Sequence, residues 1–162
     1  MDKLWAPWRA KYVSKIGKKS KGCLFCRLQK ENKDKENFIF LRSCHAYAVL
    51  NLFPYNNGHV LVVPNRHVSD IAKLNEKETA DTFSLLNKVN VLISGILKPQ
   101  GFNIGINVGR VAGAGFPDHV HIHIVPRWKG DINFMPVTAD TKVVSQSLEE
   151  LYRLLVKCKQ DK

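Results

Sequence analysis

At 162 residues the chain is near the usual size of one domain, long enough to bury about two-thirds of its unfolded surface in a single core. No apolar run approaches the ~18 residues of a membrane helix and nothing resembles a signal peptide, so a cytoplasmic protein without membrane contact is expected. The formal charge of +11 is concentrated early, residues 1 to 36 carrying eleven Lys/Arg against four Asp/Glu, and it implies an anionic partner, nucleic acid or a small polyphosphate.

Residues 1 to 22 read as a basic arm anchored by Leu4, Trp5, Trp8 and Tyr12, and residues 23 to 162 as the folded domain. The first chemical signal is Cys23-Leu24-Phe25-Cys26. With only Cys44 and Cys158 besides, the cysteines are too few for a disulfide-stapled domain, and a reducing compartment fits better. The pair has three readings. A redox pair needs a preceding strand in a βαβ unit, and none is expected; a buried chance pair is the second reading. The favoured one is a structural zinc site, two thiolates taking two corners of a tetrahedron and histidines the others, with Cys44 and His45 as rival ligands. Cys158, among leucines, reads as core.

Phe38 to Leu41 and Ala46 to Leu50 are short strand-like stretches, and Tyr55-Asn56-Asn57-Gly58 supplies turn chemistry before Val60 to Val63, ended by Pro64. Asn75 with Glu78 reads as an N-cap and capping box. Phe83, Leu86, Val89, Ile93 and Leu97 then recur at helical spacing until Pro99. Phe102 to Val108 and His119 to Val125 are β-like, separated by a loop containing Gly109, Gly113 and Gly115. Ser147 with Glu150 opens a last helix carrying Leu148, Leu151, Leu155 and Cys158. Strands, helix, strands, helix in that order predict an α+β fold with a mainly antiparallel sheet, one long helix and a C-terminal helix.

In the stretch His119-Val120-His121-Ile122-His123-Ile124-Val125 every second residue is histidine, and a strand sends alternate residues to opposite faces. The three imidazoles share one face, at ~6.5 to 7 Å intervals along the strand, while Val120, Ile122 and Ile124 offer the other to the core. Two chemistries want this arrangement: a metal site, or nucleophilic catalysis by neutral imidazole, which can carry a phosphoryl group on its ring nitrogen. The preceding Gly-rich loop, Gly109 to Gly115, favours the second, because its backbone N–H groups can approach phosphate oxygens without side-chain obstruction.

The seven residues His119 to Val125 match the pattern that defines the histidine-triad superfamily, and the chain resembles that family elsewhere too. The likeness runs through Leu4-Trp5-Ala6-Pro7-Trp8-Arg9, Cys23 to Cys26, Asn57 to Pro64 and Val125-Pro126-Arg127-Trp128. It is most similar to the branch of bacterial dinucleoside-polyphosphate phosphorylases and fragile-histidine-triad hydrolases. The resemblance implies a histidine-triad fold, an enzyme acting on dinucleoside polyphosphates such as diadenosine tetraphosphate, and a homodimer. It implies that His121 attacks the α-phosphorus and carries the nucleotidyl group, with His123 and His59 in support and no catalytic metal required. Asn51 stands where the family contacts ribose, Leu52 and Phe53 where it lines the base pocket, and Asn107, Gly113, Ala114 and Gly115 where it binds phosphates. For Cys-x-x-Cys members it implies that His67 and His119 complete the zinc site.

One departure bears on the acceptor. The hydrolase branches carry Gln-Ser or Gln-Thr in the loop, where this chain has Ala114-Gly115-Phe116-Pro117-Asp118 and one extra residue before the triad. A hydroxyl is missing at Gly115, which leaves hydrolysis and phosphorolysis both open. Two other classes stand beside this reading: a three-histidine metalloenzyme, and a non-enzymatic nucleotide- or nucleic-acid-binding module using the basic arm. Trp5, Trp8 and Tyr12 look more like anchors than a stacking platform, so nucleic acid is not the favoured partner.

Overall fold

A computed structural model describes residues 22–131 and 144–160; the basic arm expected over 1–22 lies, but for Gly22, outside them. Two short helices, α1 (Leu24–Lys30) and α2 (Asp34–Asn37), lead into β1 (Ile39–Arg42), β2 (Ala46–Leu50) and β3 (Val60–Pro64). A 3-10 turn at Ile71–Lys73 precedes the long helix α3 (Glu76–Leu97). Then come β4 (Gly101–Ile106), β5 (Ile122–Arg127) and α4 (Leu148–Gln160). The strands form one sheet in the order β1-β2-β3-β5-β4, every pairing antiparallel, as the α+β reading expects.

Both faces of the sheet are covered at its centre, which is why β2 and β3 are buried at every residue and read as unbroken apolar runs. On one face Ala46, Ala48, Leu50, Val60, Val62, Ile122 and Ile124 pack against Leu85, Leu86, Val89, Leu92 and Ile93 of α3 and Leu151 and Leu155 of α4. Cys158 packs at the edge of this core, as expected. The alternate residues Ile39, Tyr47, Val49, Leu61 and Val63 form a smaller cluster with Phe25 of α1, and the buried Tyr47 hydroxyl donates to the Phe25 carbonyl at 2.8 Å. That bond fastens the cysteine-bearing helix to the sheet. Neither α1 nor α2 was legible from periodicity, since in so short a helix a single buried residue, Phe25, makes no pattern.

The capping box of α3 is present in both directions, Asn75 Oδ1 accepting from Glu78 N–H and Glu78 Oε2 from Asn75 N–H, each at 2.9 Å. Lys98 ends the helix in the left-handed region before Pro99. Phe83, expected on the buried face, is 48 % exposed. At ~100° per residue it lies about a quarter-turn from the stripe of Thr82, Leu86, Val89 and Ile93.

Glu78 also receives two Arg66 bonds of 2.6 Å. These bonds, and then the Asn75 N–H, hold its carboxyl at about 2 against an ordinary 4.5. A depressed carboxyl stabilises the fold above its unfolded value, and that contribution is lost as pH falls from 4.5 towards 2. Glu78→Gln is therefore expected to lose about 1 to 2 kcal/mol at pH 7 and to lie much nearer wild type at pH 3. Urea denaturation at the two pH values checks this; an equal loss at both would refute the ionic account.

Candidate functional site

Pro64 closes β3, and the β3–β5 ladder begins at the Val62–Ile122 pair, so His119 and His121 stand just ahead of the strand expected to contain them. Other bonds hold that approach. Val120 N–H donates to the Val68 carbonyl at 2.7 Å, and His119 Nε2–H to the Pro64 carbonyl at 2.9 Å. The strand then runs past Val125 to Arg127. β4, expected to reach Val108, ends at Ile106, opposite Ile122. Gly105 faces His123, and Asn107 follows directly after the end of that ladder.

The three triad rings do not converge on one point, which removes the support for a three-histidine metal site. His119 turns Nδ1 towards sulfur, 3.2 Å from Cys23 Sγ and 3.6 Å from Cys26 Sγ. His67 Nδ1 lies 3.3 Å from the same nitrogen and 3.4 Å from Cys26 Sγ. The donor atoms of Cys23, Cys26, His67 and His119 all lie within 4.8 Å of one another and can hold a metal ion. Cys23 caps α1 and Cys26 sits three residues on, a helical spacing that puts both sulfurs on one side. Burial, with the Cys23 sulfur beside it, raises the Cys26 pKa, so two thiolates here call for a cation. The rival ligands Cys44 and His45 are not among these clustered donors.

His121 is 5 % exposed, and its Nδ1 lies 2.9 Å from the His119 carbonyl oxygen. A carbonyl only accepts, so Nδ1 carries the proton and Nε2 keeps its lone pair. Burial lowers the His121 pKa, and burial with the nearby His121 brings His123 to about 4, so both rings are neutral at pH 7. Their centroids are 4.9 Å apart, closer than the strand repeat, because the rings lean together. Phe25 packs against His121 and His119, with ring centroids 4.9 Å and 5.5 Å away.

His59, 1 % exposed and immediately before β3, completes a second chain of bonds. Its Nδ1 accepts the Tyr55 N–H at 2.9 Å, so Nε2 is the protonated nitrogen and donates to His123 Nδ1 at 2.9 Å. His123 must then carry its proton on Nε2, which is buried and has no hydrogen-bond partner among the described residues. Asn51 lies against the same ring, Nδ2 at 3.3 Å from His59 Nδ1, and its Oδ1 accepts from Phe53 N–H at 2.9 Å. Leu52 and Phe53 are half-buried beside it. The turn depends on Gly58: φ is +75°, and a Cβ there would meet Leu97 at 2.5 Å and Pro126 at 3.1 Å.

In the Gly-rich loop, Gly113 N–H donates to Arg110 at 3.0 Å and Ala114 N–H to Gly109 at 3.3 Å, so a phosphate takes these groups only in exchange for those bonds. Gly113 approaches Asn107, and a side chain at Gly115 would meet nothing within 4 Å. The sequence reading gave no role to Phe25, Tyr55, Asn56 or Asp131. Tyr55 and Asn56 stand in the turn before β3, and the Arg127 that pairs with Asp131 in the segment after the triad, but nothing in their spacing announces a contact.

The HIT domain family model matches residues 32–130. An AP-4-A phosphorylase of Mycobacterium tuberculosis is 37 % identical over 96 % of this chain and 83 % of its own. A bis(5'-nucleosyl)-tetraphosphatase [asymmetrical] of Schizosaccharomyces pombe is 40 % identical over 59 % of this chain and 52 % of its own. Among solved structures, a zinc-bound histidine triad family protein from Mycobacterium smegmatis superposes with a TM-score of 0.70 at 25 % identity, covering 86 % of this chain and 94 % of that one.

Proposed function

The chain belongs to the HIT family, and from that premise we propose that it cleaves dinucleoside polyphosphates such as diadenosine tetraphosphate at the α-phosphate, through a covalent nucleotidyl-His121 intermediate. The observation that carries this reading is the His121 bond to the His119 carbonyl, which leaves Nε2 unprotonated in a neutral ring. That lone pair forms a bond to the α-phosphorus while the bridging P–O bond breaks, its electrons leaving with the second nucleotide. A polyphosphate departs as an anion and needs no proton. His123 Nε2–H, held by His59, is the donor for charge developing on a phosphate oxygen, a contribution of ~3 to 4 kcal/mol where such donors have been removed elsewhere. In this reading Asn51, Leu52 and Phe53 receive the nucleoside, and Asn107 with the Gly113, Ala114 and Gly115 backbone receives phosphate oxygens.

In the second step an acceptor oxygen bonds to phosphorus, the P–N bond breaks and the pair returns to His121. Open space at Gly115 and the likeness to a phosphorylase favour inorganic phosphate over water as that acceptor. Phosphorolysis of diadenosine tetraphosphate yields ADP plus ATP, and hydrolysis at the α-phosphate yields AMP plus ATP. Incubation with and without millimolar phosphate, followed by product chromatography, is expected to give ADP and a rate that rises with phosphate. A phosphate-independent rate with AMP as the companion of ATP would make the chain a hydrolase while leaving the His121 role intact.

The cluster of Cys23, Cys26, His67 and His119 belongs in this reading as a structural zinc site, supported by four donors of the soft and borderline type that zinc prefers. Bound there, zinc supplies no bond-making chemistry but pins the residue that starts the triad. The exposed edge of β4, where Ile104 is 47 % exposed, supports pairing with a second copy of the chain. Among the described residues no helix is long and apolar enough to cross a membrane.

A further inference from the structure

A partly buried polar cluster gathers around Asn56, in the turn that leads into His59. Asn56 is 7 % exposed, and its Nδ2 donates to the Pro126 carbonyl at 3.0 Å and to Asp131 Oδ2 at 2.7 Å. The same Oδ2 accepts from Arg127 Nε at 2.6 Å and from Trp128 N–H at 3.2 Å, and Oδ1 accepts from Arg127 Nη2 at 2.9 Å. Arg127 reaches on to Asn103 of β4 at 2.7 Å. One carboxylate thus ties β5, the following turn and the β2–β3 turn together.

What Asp131 holds through Asn56 is the backbone that sets the histidine protons. The Asn56 carbonyl accepts from His59 N–H at 3.2 Å, and the preceding Tyr55 N–H donates to His59 Nδ1. The Tyr55 ring lies parallel over His123, 15° between planes at 5.8 Å, and tilted over His59 at 4.7 Å. Tyr55 N–H is the shorter of two donors on His59 Nδ1, Asn51 Nδ2 standing at 3.3 Å, so its movement away weakens the hold that keeps the His59 proton on Nε2. The donor facing His123 is then less firmly fixed, and with it the Nε2–H of His123.

We propose that Asp131 is a positioning residue that, through Asn56 and the Tyr55 N–H, fixes the proton of His59 on Nε2 and so keeps the His123 Nε2–H aimed into the site. A carboxylate is required because three donors converge on one oxygen. An amide there either turns its NH2 into those donors or accepts them with a weaker, uncharged oxygen. The catalytic consequence rests on the function proposed above, whereas the tautomer itself does not.

The test uses the full chain carrying Asp131→Asn and, separately, Asn56→Ala, labelled with 15N, in long-range 1H–15N spectra of the imidazoles. Wild type is expected to show His59 and His123 both protonated on Nε2, and each variant a His59 pattern averaged between the two nitrogens. With diadenosine tetraphosphate, kcat is expected to fall on the order of tenfold while KM stays within about twofold, as for a misplaced but intact group. Unchanged melting temperature in either variant separates this from general loss of fold. The proposal is overturned if wild-type His59 carries its proton on Nδ1, or if both variants keep the wild-type tautomer whatever happens to kcat. Should wild type leave diadenosine tetraphosphate intact, the function fails while the spectra still decide the role of Asp131.

Discussion

Replacing His121 by asparagine or alanine is expected to lower kcat by at least ~10³-fold while the protein folds and still binds the nucleotide. The magnitude follows from what is removed. Without the Nε2 lone pair no covalent intermediate forms, and water would have to attack the α-phosphorus directly in a site that gives it no general base. Binding survives because its determinants lie elsewhere: the Asn51 to Phe53 segment is held by its own bonds, and His123 keeps its link to His59. Asparagine is the more informative variant, since its side-chain NH2 can still donate to the His119 carbonyl that now accepts from Nδ1. Single-turnover kinetics with mass spectrometry reads the result. Wild type is expected to gain the mass of a nucleotidyl group on the peptide containing His121, and the variants to gain none. A variant retaining more than about a tenth of wild-type kcat, a loss below ~1.4 kcal/mol of barrier, would remove His121 as the nucleophile.

The triad and the sheet were legible for the same reason. β5 has one face in the core and the other in the site, so a period of two alternates Ile122 and Ile124 with the histidines. The capping box and the ends of α3 were legible because they are local chemistry between residues three apart. What could not be read was set by long-range contact. The ladder starts at Ile122 instead of His119 because Pro64 ends β3 and the His119 ring bonds to its carbonyl, a partner 55 residues away. The exposure of Phe83 reflects where the sheet lies relative to α3, which helical spacing does not contain. In the site, His59 could be aligned with a family position, yet its tautomer depends on the Tyr55 backbone and on an aspartate 75 residues from Asn56. Such networks leave no periodic trace.

The purified chain is expected to carry about one zinc, and Cys23→Ser to lose it together with roughly 10 °C of melting temperature. The fit is geometric. A tetrahedron with Zn–S of about 2.3 Å and Zn–N of about 2.0 to 2.1 Å has edges of roughly 3.3 to 3.8 Å. Four of the six donor separations lie near that range, at 3.2 and 3.6 Å from sulfur to His119, 3.4 Å from sulfur to His67 and 3.3 Å between the nitrogens, and all six are within 4.8 Å. His119 is also prepared as a ligand, because donating Nε2–H to the Pro64 carbonyl leaves the Nδ1 lone pair facing the sulfurs. The site joins α1, the segment after β3 and the approach to β5, which are far apart in the chain. Its binding energy is therefore largely folding energy, and losing more than about 3 kcal/mol in a domain of this size lowers the melting temperature by roughly 10 °C. Acid should release the metal as the thiolates and imidazoles take up protons. Cys44→Ser is the control, expected to leave both zinc and melting temperature unchanged, since Cys44 lies outside the four-donor cluster. Metal analysis and calorimetry decide the matter without any assay of activity: zinc-free wild type, or Cys23→Ser protein matching it in metal content and melting temperature, would refute the site.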